Sequence, residues 1–368
     1  MLYLFAISVV IFKLGFRRVA FSTTYLAVLE KSRLQELVSG FQGKAVLVVG
    51  DLMVDRYQSI VARKISREAP VPVGDLQGER LSLGGAGNLA NNILALGGKA
   101  KVLGFVGEDT QGEWIRKALS ESGVDVSGIE SFKRPTTLKT RYIVNGFQVL
   151  RVDREVRSDI DIELSDRLLK HAPDFVENSD ILAIADYDKG TVTSYLIDAL
   201  VAEAKKSEKK IIAQPKVRHY LDFRGVDYVK SNEREASIAT GISVLNETGL
   251  RNIATNLTTR LGCRAIILTR SERGITVFEQ NRMTTIPPML PSSEFSRPVG
   301  VRDAMTSVFA LSIASGSNAF EGAALSNLAA AIRGQREGTI VVSSRDIEQN
   351  LDKAEHVLDQ IVQVPVRR

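Results

Sequence analysis

From Lys44 onward the chain alternates between short, continuous apolar runs and longer stretches with a helical period. Lys44-Ala45-Val46-Leu47-Val48-Val49-Gly50-Asp51 is an unbroken, largely β-branched run ending at Gly-Asp, the pattern of a strand buried on both faces. Residues 57–83 carry alternating stretches around Pro70 and Pro72 without helical period, which predicts strands outside the main sheet. Gly84-Gly85-Ala86-Gly87-Asn88 opens a helix to about Leu96; a strand over Lys101 to Val106 and an amphipathic helix over Gln111 to Ser122 follow. Thr137 to Asp153 is again extended, with Asn145-Gly146 between two alternating runs, a strong hairpin signal.

Beyond Asp153 helices and strands alternate. Helix 163–177 precedes strand 181–185, helix 191–206 precedes strand 210–213, strand 227–230 precedes helix 233–240, and helix 248–261 precedes strand 264–269. A hairpin at 274–287, helices at 303–315 and 319–333, a short strand near Thr339 to Val342 and a charged helix at 345–361 complete the pattern. Such alternation predicts an α/β fold, a parallel sheet covered by helices on both faces. The extended insertions, 57–83 and 137–153, are placed to pair as a small sheet. A small sheet projecting from an α/β body makes a natural lid, and such a sheet often pairs across a dimer.

Composition narrows the function classes. Of 368 residues, 44% are hydrophobic and 25% charged, an ordinary globular mixture with material for a sizeable core. The net charge of +5 is concentrated: Lys13, Arg17, Arg18, Lys31 and Arg33 against Glu30 give residues 1–34 a net +4, leaving the rest near neutral. The high pI therefore does not describe the body, and a nucleic-acid partner is not expected. Cys263 is the only cysteine, and His171, His219 and His356 stand in no ligand spacing, so disulfide and zinc chemistry are not expected. Residues 1–34 form an N-terminal extension whose apolar run, Met1 to Phe12, is short for a bilayer-spanning helix and lacks a preceding basic segment. It reads as an over-extended start, a weak membrane-associating segment or a helix packed on the body, the first being favoured. Residues 35–368 read as a single cytoplasmic domain.

Parallel α/β sheets bind ligands at the carboxyl ends of their strands, and polar clusters fall at those places. Asp51 and Asp55 follow the first strand; carboxylates there accept hydrogen bonds from sugar hydroxyls, or serve as turn and cap residues. The glycines at 84, 85 and 87 let backbone approach a ligand closely. They do not make a dinucleotide fingerprint, and no Gly-x-x-x-x-Gly-Lys-Ser/Thr loop stands in the chain. Asp186-Tyr187-Asp188-Lys189-Gly190 follows strand 181–185, and Lys189 is a phosphate ligand or part of a surface turn. Asn232 and Glu235 lie three apart at a helix start, able to order hydrated Mg²⁺ or simply to cap the helix. Thr269-Arg270-Ser271-Glu272-Arg273-Gly274 ends the next strand and is placed to line a nucleotide. Arg297-Pro298-Val299-Gly300-Val301-Arg302-Asp303 leads into the small-residue helix Ala304 to Ala314; its backbone and helix dipole can hold an anion, and Asp303 is either a base beside that anion or an ordinary N-cap.

In their joint order these motifs resemble the ribokinase-like (PfkB) sugar kinases, and closely the heptose 7-phosphate kinases of lipopolysaccharide core synthesis. The most specific stretches are Val49 to Tyr57, Ile65 to Pro72, Gly84 to Asn92, Asp186 to Gly190, Asn232-x-x-Glu235, Thr269 to Gly274, and Ser326 to Ala331 with Gly338-Thr339; the resemblance covers Glu30 to Ala354. It implies a ribokinase-like fold with a β lid, a homodimer through that lid, and ATP with Mg²⁺ as cofactors for phosphorylating a small-molecule sugar phosphate, at the anomeric O1 in the heptose kinases. By position it implies Asp303 as catalytic base and Gly300, Val301 and Arg302 as anion hole. Asn232, Glu235, Thr269, Arg270, Ser271, Gly274 and Asn327 fall on the ATP and Mg²⁺-phosphate side, the metal being held through water and not by direct ligands. Asp51, Asp55, Gly84, Gly85, Asn88 and Asp186 fall on the substrate side, with Arg141, Arg151 and Lys189 as candidates for the 7-phosphate.

Two departures sit at the phosphate end. The family loop reads Asp-x-Thr-Gly-Ala-Gly-Asp; here the base and first glycine are kept, whereas Arg297, Val299 and Arg302 replace Asp, Thr and the second Gly. Arg302 either supplies a guanidinium to the phosphate or fills its place. The family's Asp-Pro-Lys is Gln214-Pro215-Lys216. The His-x-Gly-His motif of the bifunctional relatives does not occur, so adenylyl transfer is not expected.

Overall fold

A computed structural model describes residues 25–26, 29–290, 299–335, 341–358 and 362–365. The chain runs β1 (Tyr25–Leu26), α1 (Lys31–Ser39), β2 (Ala45–Gly50), β3 (Leu52–Ile65), β4 (Pro72–Gly85), α2 (Ala86–Ala95), β5 (Lys99–Gly107), α3 (Thr110–Glu121) and β6 (Ile129–Phe132). Next come β7 (Thr137–Val144), β8 (Phe147–Arg154), α4 (Ile162–Leu169), α5 (Ala172–Glu177), β9 (Ile181–Ala185), α6 (Ser194–Lys206), β10 (Lys210–Gln214), β11 (Tyr228–Asn232), α7 (Glu233–Thr240) and α8 (Glu247–Leu261). The last elements are β12 (Ala265–Thr269), β13 (Ile275–Glu279), β14 (Arg282–Ile286), α9 (Val301–Ala314), α10 (Ala319–Gly334), α11 (Ser344–Leu358) and β15 (Val362–Pro365).

Among the described residues the main sheet has 11 strands in the order β1-β15-β14-β13-β12-β11-β10-β9-β2-β5-β6. From β12 through β6 the pairing is parallel; β13, β14, β15 and β1 extend it antiparallel. Period-two alternation explains why these strands are apolar throughout. Val46 and Val48 of β2 enter one core with α1, α2, α9 and α10, while Leu47 and Val49 enter a second with α4, α5, α6 and α8. The carboxyl ends of β2, β9, β10, β11 and β12 come to one edge, where Gly50 pairs with Ala185, Ala185 with Gln214, and Asn232 with Thr269. The clusters at Asp51, Asp186–Gly190, Asn232–Glu235 and Thr269–Gly274 leave the sheet along that edge.

The lid forms as the insertions predict, with longer strands. One residue, Asp51, separates β2 from β3, so the chain passes directly from body to lid. The lid sheet runs β4-β3-β7-β8, with β3 and β7 parallel and the outer pairs antiparallel. Asn145 and Gly146 turn the β7–β8 hairpin with φ of 50° and 88°, the left-handed pair such a turn requires. Val61, Leu76, Val149 and Leu150 are exposed on the lid.

Several expectations need correction. The helix expected over 163–177 is two, α4 and α5, broken where Pro173 enters the first turn of the second. Strand β6 has no counterpart in the sequence reading. The strand expected near Thr339 falls partly outside the described residues, and Val341 and Val342 run without regular structure. Residues 29–34 already pack on the body: Leu29 and Leu34 are buried, Arg33 bonds Glu321 at 3.2 Å, and Lys31 pairs with Asp352. Residues 1–24 lie outside the described residues, as do Arg297 and Pro298. No helix among the described residues is long and apolar enough to cross a membrane.

Candidate active site

Helix α9 is buried almost from end to end, from Asp303 to Ile313. Its polar residues tolerate this because each bonds back to its own helix: Thr306 Oγ1 to the Arg302 carbonyl at 2.9 Å, Ser307 Oγ to that of Asp303 at 2.8 Å, and Ser312 Oγ to that of Val308 at 2.7 Å. Gly300 caps the helix with φ 88°, a left-handed conformation suited to glycine, and a Cβ there would lie 2.8 Å from Asn88 Nδ2. Ala304 N–H bonds the Gly300 carbonyl, which leaves the N–H groups of Val301, Arg302 and Asp303 without intrahelical acceptors. That is the geometry of an anion nest.

Asp303 is not an ordinary N-cap, a place that Gly300 takes. It is the third helical residue, and its carboxylate turns away from the helix N–H groups toward two side chains. Asn88 Nδ2 donates to Oδ2 at 2.6 Å, and the Tyr187 hydroxyl donates to Oδ1 at 2.6 Å. Burial pushes this carboxyl above its ordinary pKa; Tyr187, Asn88, Arg302 and Lys230 pull the other way. A buried, doubly oriented carboxylate beside an anion nest is what deprotonation of an acceptor hydroxyl requires.

Asn88 is held by the glycine turn. Gly85 has φ 58° and ψ −135°, and a Cβ on it would lie 2.3 Å from the Asp51 carbonyl. Gly84 lies against Asp55, where a Cβ would meet Oδ2 at 2.9 Å. Asp51 is buried and accepts three backbone N–H groups, from Tyr187 at 2.9 Å, Lys189 at 3.2 Å and Thr191 at 2.9 Å. It therefore builds the 187–191 loop and so places Tyr187 on Asp303. Asp186 accepts the N–H groups of Asp188 and Lys216, and burial with nearby Asp51 pushes its carboxyl up to about 6.

On the phosphate side, Asn232 and Glu235 form a reciprocal capping box, Glu235 N–H to Asn232 Oδ1 at 2.7 Å and Asn232 N–H to Glu235 Oε2 at 3.2 Å. Glu235 Oε1 takes both Lys216 Nζ at 2.6 Å and Arg302 Nη1 at 2.7 Å. Burial would raise this carboxyl, but Arg302 and Lys216 hold it below the usual range. Both oxygens of Glu235 thus carry protein donors, and no group of three or more metal-ligating side chains occurs among the described residues. This donor set fits an anion better than a cation. Lys230, in the middle of β11, is buried in the same cluster, and burial with nearby Arg302 lowers its ammonium to about 7.

The 44–346 stretch matches the family model described as pfkB family carbohydrate kinase. The chain belongs to the pfkB family of carbohydrate kinases. It is similar to the bifunctional protein HldE of Syntrophotalea carbinolica, 32% identical over 92% of this chain and 69% of that protein. It is similar also to that of Helicobacter hepaticus, 33% identical over 88% and 67%. The kinase spans about two thirds of the length of these curated relatives. Among solved structures it resembles Arabidopsis thaliana ribokinase complexed with ribose and ATP, with TM-score 0.65, 17% identity and coverage of 84% of this chain and 99% of that one. The tetrameric inhibited form of Escherichia coli phosphofructokinase-2 aligns with TM-score 0.68 and 15% identity over 85% and 99%.

The remaining site candidates of the kinase divide sharply. Thr269 Oγ1 bonds the Ser231 carbonyl at 3.3 Å, Arg270 pairs with Glu233 at 3.0 Å, Ser271 and Gly274 turn with φ 52° and 77°, and Asn327 Nδ2 holds the Pro287 carbonyl at 2.7 Å. These contacts firm one wall beside Asn232. Arg141 makes a buried pair with Asp55 at 2.5 Å. Lys189 is mostly buried against Glu155 at 3.3 Å, and Glu155, despite its burial, is held down to about 2 by Lys139 and Arg157. Arg151 stands apart on exposed β8, paired with Asp153 at 3.0 Å. The sequence reading did not select Tyr187, Lys216 or Lys230. Each lies inside or beside a quoted motif, and Lys230 interrupts an apolar strand, a signal that was available.

Proposed function

We propose that this kinase transfers the γ-phosphoryl of ATP to a hydroxyl of a sugar phosphate, with heptose 7-phosphate at O1 as the preferred substrate and the 1,7-bisphosphate as product. The observation that carries this reading is Asp303: buried, in the first turn of α9, and oriented by both Asn88 and Tyr187. The acceptor hydroxyl gives its proton to the Asp303 carboxylate and attacks the γ-phosphorus in line; the bond to the β–γ bridging oxygen breaks and its electron pair leaves with ADP. The nest at Gly300 to Asp303 receives the phosphoryl oxygens. Mg²⁺ travels with the nucleotide in this reading, and no residue here is assigned to hold it. Exposed Val61, Leu76, Val149 and Leu150 support a homodimer through the lid.

A second reading has a specific observation behind it. Arg302 stands at the nest and pairs with Glu235, as it would in an impaired homologue that keeps sugar-phosphate or protein binding without turnover. Coupled ADP release with heptose 7-phosphate, ribose and fructose 6-phosphate separates the two. The kinase reading expects turnover with the heptose and a fall of about a thousandfold or more in Asp303→Asn. Measurable sugar binding with no ADP release from any substrate would establish the second reading.

A further inference from the structure

Two cations share one carboxylate oxygen at the phosphate end. Lys216 and Arg302 both bind Glu235 Oε1, while Oε2 is taken by the Asn232 N–H. The trio carries a surplus positive charge, and Lys230 lies close enough to couple to it electrostatically. Arg302 reaches Glu235 through Nη1 only. Its Nη2 is buried and has no hydrogen-bond partner among the described residues. Gln214, on a wholly buried side chain, adjoins the Tyr187 hydroxyl. Thr306 lies between the two residues, its hydroxyl donating to the Gln214 side chain at Oε1, 2.5 Å, and, alternatively, to the backbone carbonyl of Arg302 at 2.9 Å. Both residues occupy positions where the family resemblance implies something else, a glycine at 302 and an aspartate at 214.

A buried donor left without an acceptor is costly. Arg302 Nη2, beside surplus positive charge and three backbone N–H groups, calls for a ligand rich in acceptor oxygens and negatively charged. Guanidinium geometry sets the anchored nitrogen and the ligand-facing one at two points of a rigid fork, whereas an ammonium must reach both partners from a single atom.

We propose that Arg302 is a phosphoryl-binding catalytic residue: Glu235 anchors its guanidinium through Nη1, and Nη2 donates to an oxygen of the transferring γ-phosphoryl, where the family uses a glycine N–H. The inference rests on the kinase reading for the identity of the anion. Its consequence for Glu235 is a changed duty, from ordering metal-bound water to aiming a cation. Arg302 keeps its protons throughout; it neutralises charge on the phosphoryl while Asp303 takes the acceptor proton.

The test compares nucleotide binding and turnover in the full-length protein. Calorimetry measures ADP and β,γ-imido-ATP against wild type, Arg302→Gln and Arg302→Lys at equal Mg²⁺. Wild type binds the imido analogue more tightly than ADP; Arg302→Gln loses about tenfold of that preference with ADP affinity within about twofold, and Arg302→Lys retains only part of it, because an ammonium lacks the planar fork that reaches Glu235 and the phosphoryl from two nitrogens. In the ADP-release assay Arg302→Gly is slower than wild type and regains rate with added guanidinium. Faster turnover of Arg302→Gly overturns the proposal, as does an unchanged γ-phosphate preference in Arg302→Gln, or a wild type that does not distinguish the analogue from ADP. A merely structural arginine would move both affinities together, which also overturns it. Should wild type turn over no sugar while its γ-phosphate preference still depends on Arg302, the kinase reading fails and the phosphate site stands.

Discussion

The two sides of Asp303 have been built by different means. On the sugar side, backbone and short side chains do the work: the glycines at 84 and 85 allow contacts that a Cβ would break, and Asp51 spends its carboxylate on three N–H groups. On the phosphate side, long charged side chains take over, with Lys216, Arg302 and Lys230 around one glutamate. The first side keeps the motif that the family resemblance implies, and the second keeps Gly300, Asp303, Asn232 and Glu235 but carries Arg302 and Gln214 where the resemblance implies a glycine and an aspartate. In the proposed reading, the oxyanion site changes from backbone donors to side-chain donors without moving the base, because Asp303 takes its orientation from Asn88 and Tyr187.

Paired glycine substitutions put the largest strain on this contrast. Gly85→Ala places a Cβ 2.3 Å from a backbone carbonyl in a conformation essentially reserved to glycine, so folding stability should fall by roughly 2–4 kcal/mol. Gly300→Ala meets the tip of Asn88 instead, which can swing aside. Its stability loss should be only about 1 kcal/mol, while kcat falls as Asp303 loses a donor. Urea unfolding beside ADP-release kinetics reads both; equal destabilisation by the two variants would erase the distinction between a structural and a chemical side.

Tyr187→Phe sharpens the contrast at the base itself. The phenol stabilises the ionised form of Asp303, so removing it raises further a pKa that burial already holds high. Less of the base is then ionised at a given pH. The acid limb of kcat/KM should move to higher pH, with rate lost about tenfold below the limb and recovered above it. A uniform loss at every pH would mean that Tyr187 only packs against the substrate.

Much of the site was legible in the sequence because its pieces are contiguous motifs at strand ends, and the sheet brings strand ends together by construction. Asp51, Gly85, Asn88, Asn232 and Asp303 could be named from their motifs for that reason. Pairings across the chain could not. Tyr187 and Asp303 are separated by 116 positions and Arg302 and Glu235 by 67, and nothing in local spacing reports such a contact. The four residues of β6 are too few for a readable period, and only Pro173 marks the break between α4 and α5. Both residues of the Arg141–Asp55 pair were chosen as ligand contacts, although side chains that face a ligand can equally face each other.

The smallest effects fall on the substrate phosphate. Lys189 sits mostly buried at the mouth of the 187–191 loop, held by Glu155, and its loop is fixed by Asp51. Arg151 lies half-exposed on the outer lid strand with Asp153, where a surface pair contributes only about 0–1 kcal/mol. Lys189→Met should therefore raise KM about tenfold for a sugar phosphate while leaving KM for an unphosphorylated sugar within about twofold, since only the phosphate loses a charge-assisted partner. Arg151→Ala should change either KM by less than about twofold in the isolated protomer. If Arg151→Ala instead weakens the sugar phosphate as much as Lys189→Met does, the lid strand closes on the substrate. The sugar side then also recruits a long charged side chain, and the division between the two sides of Asp303 gives way.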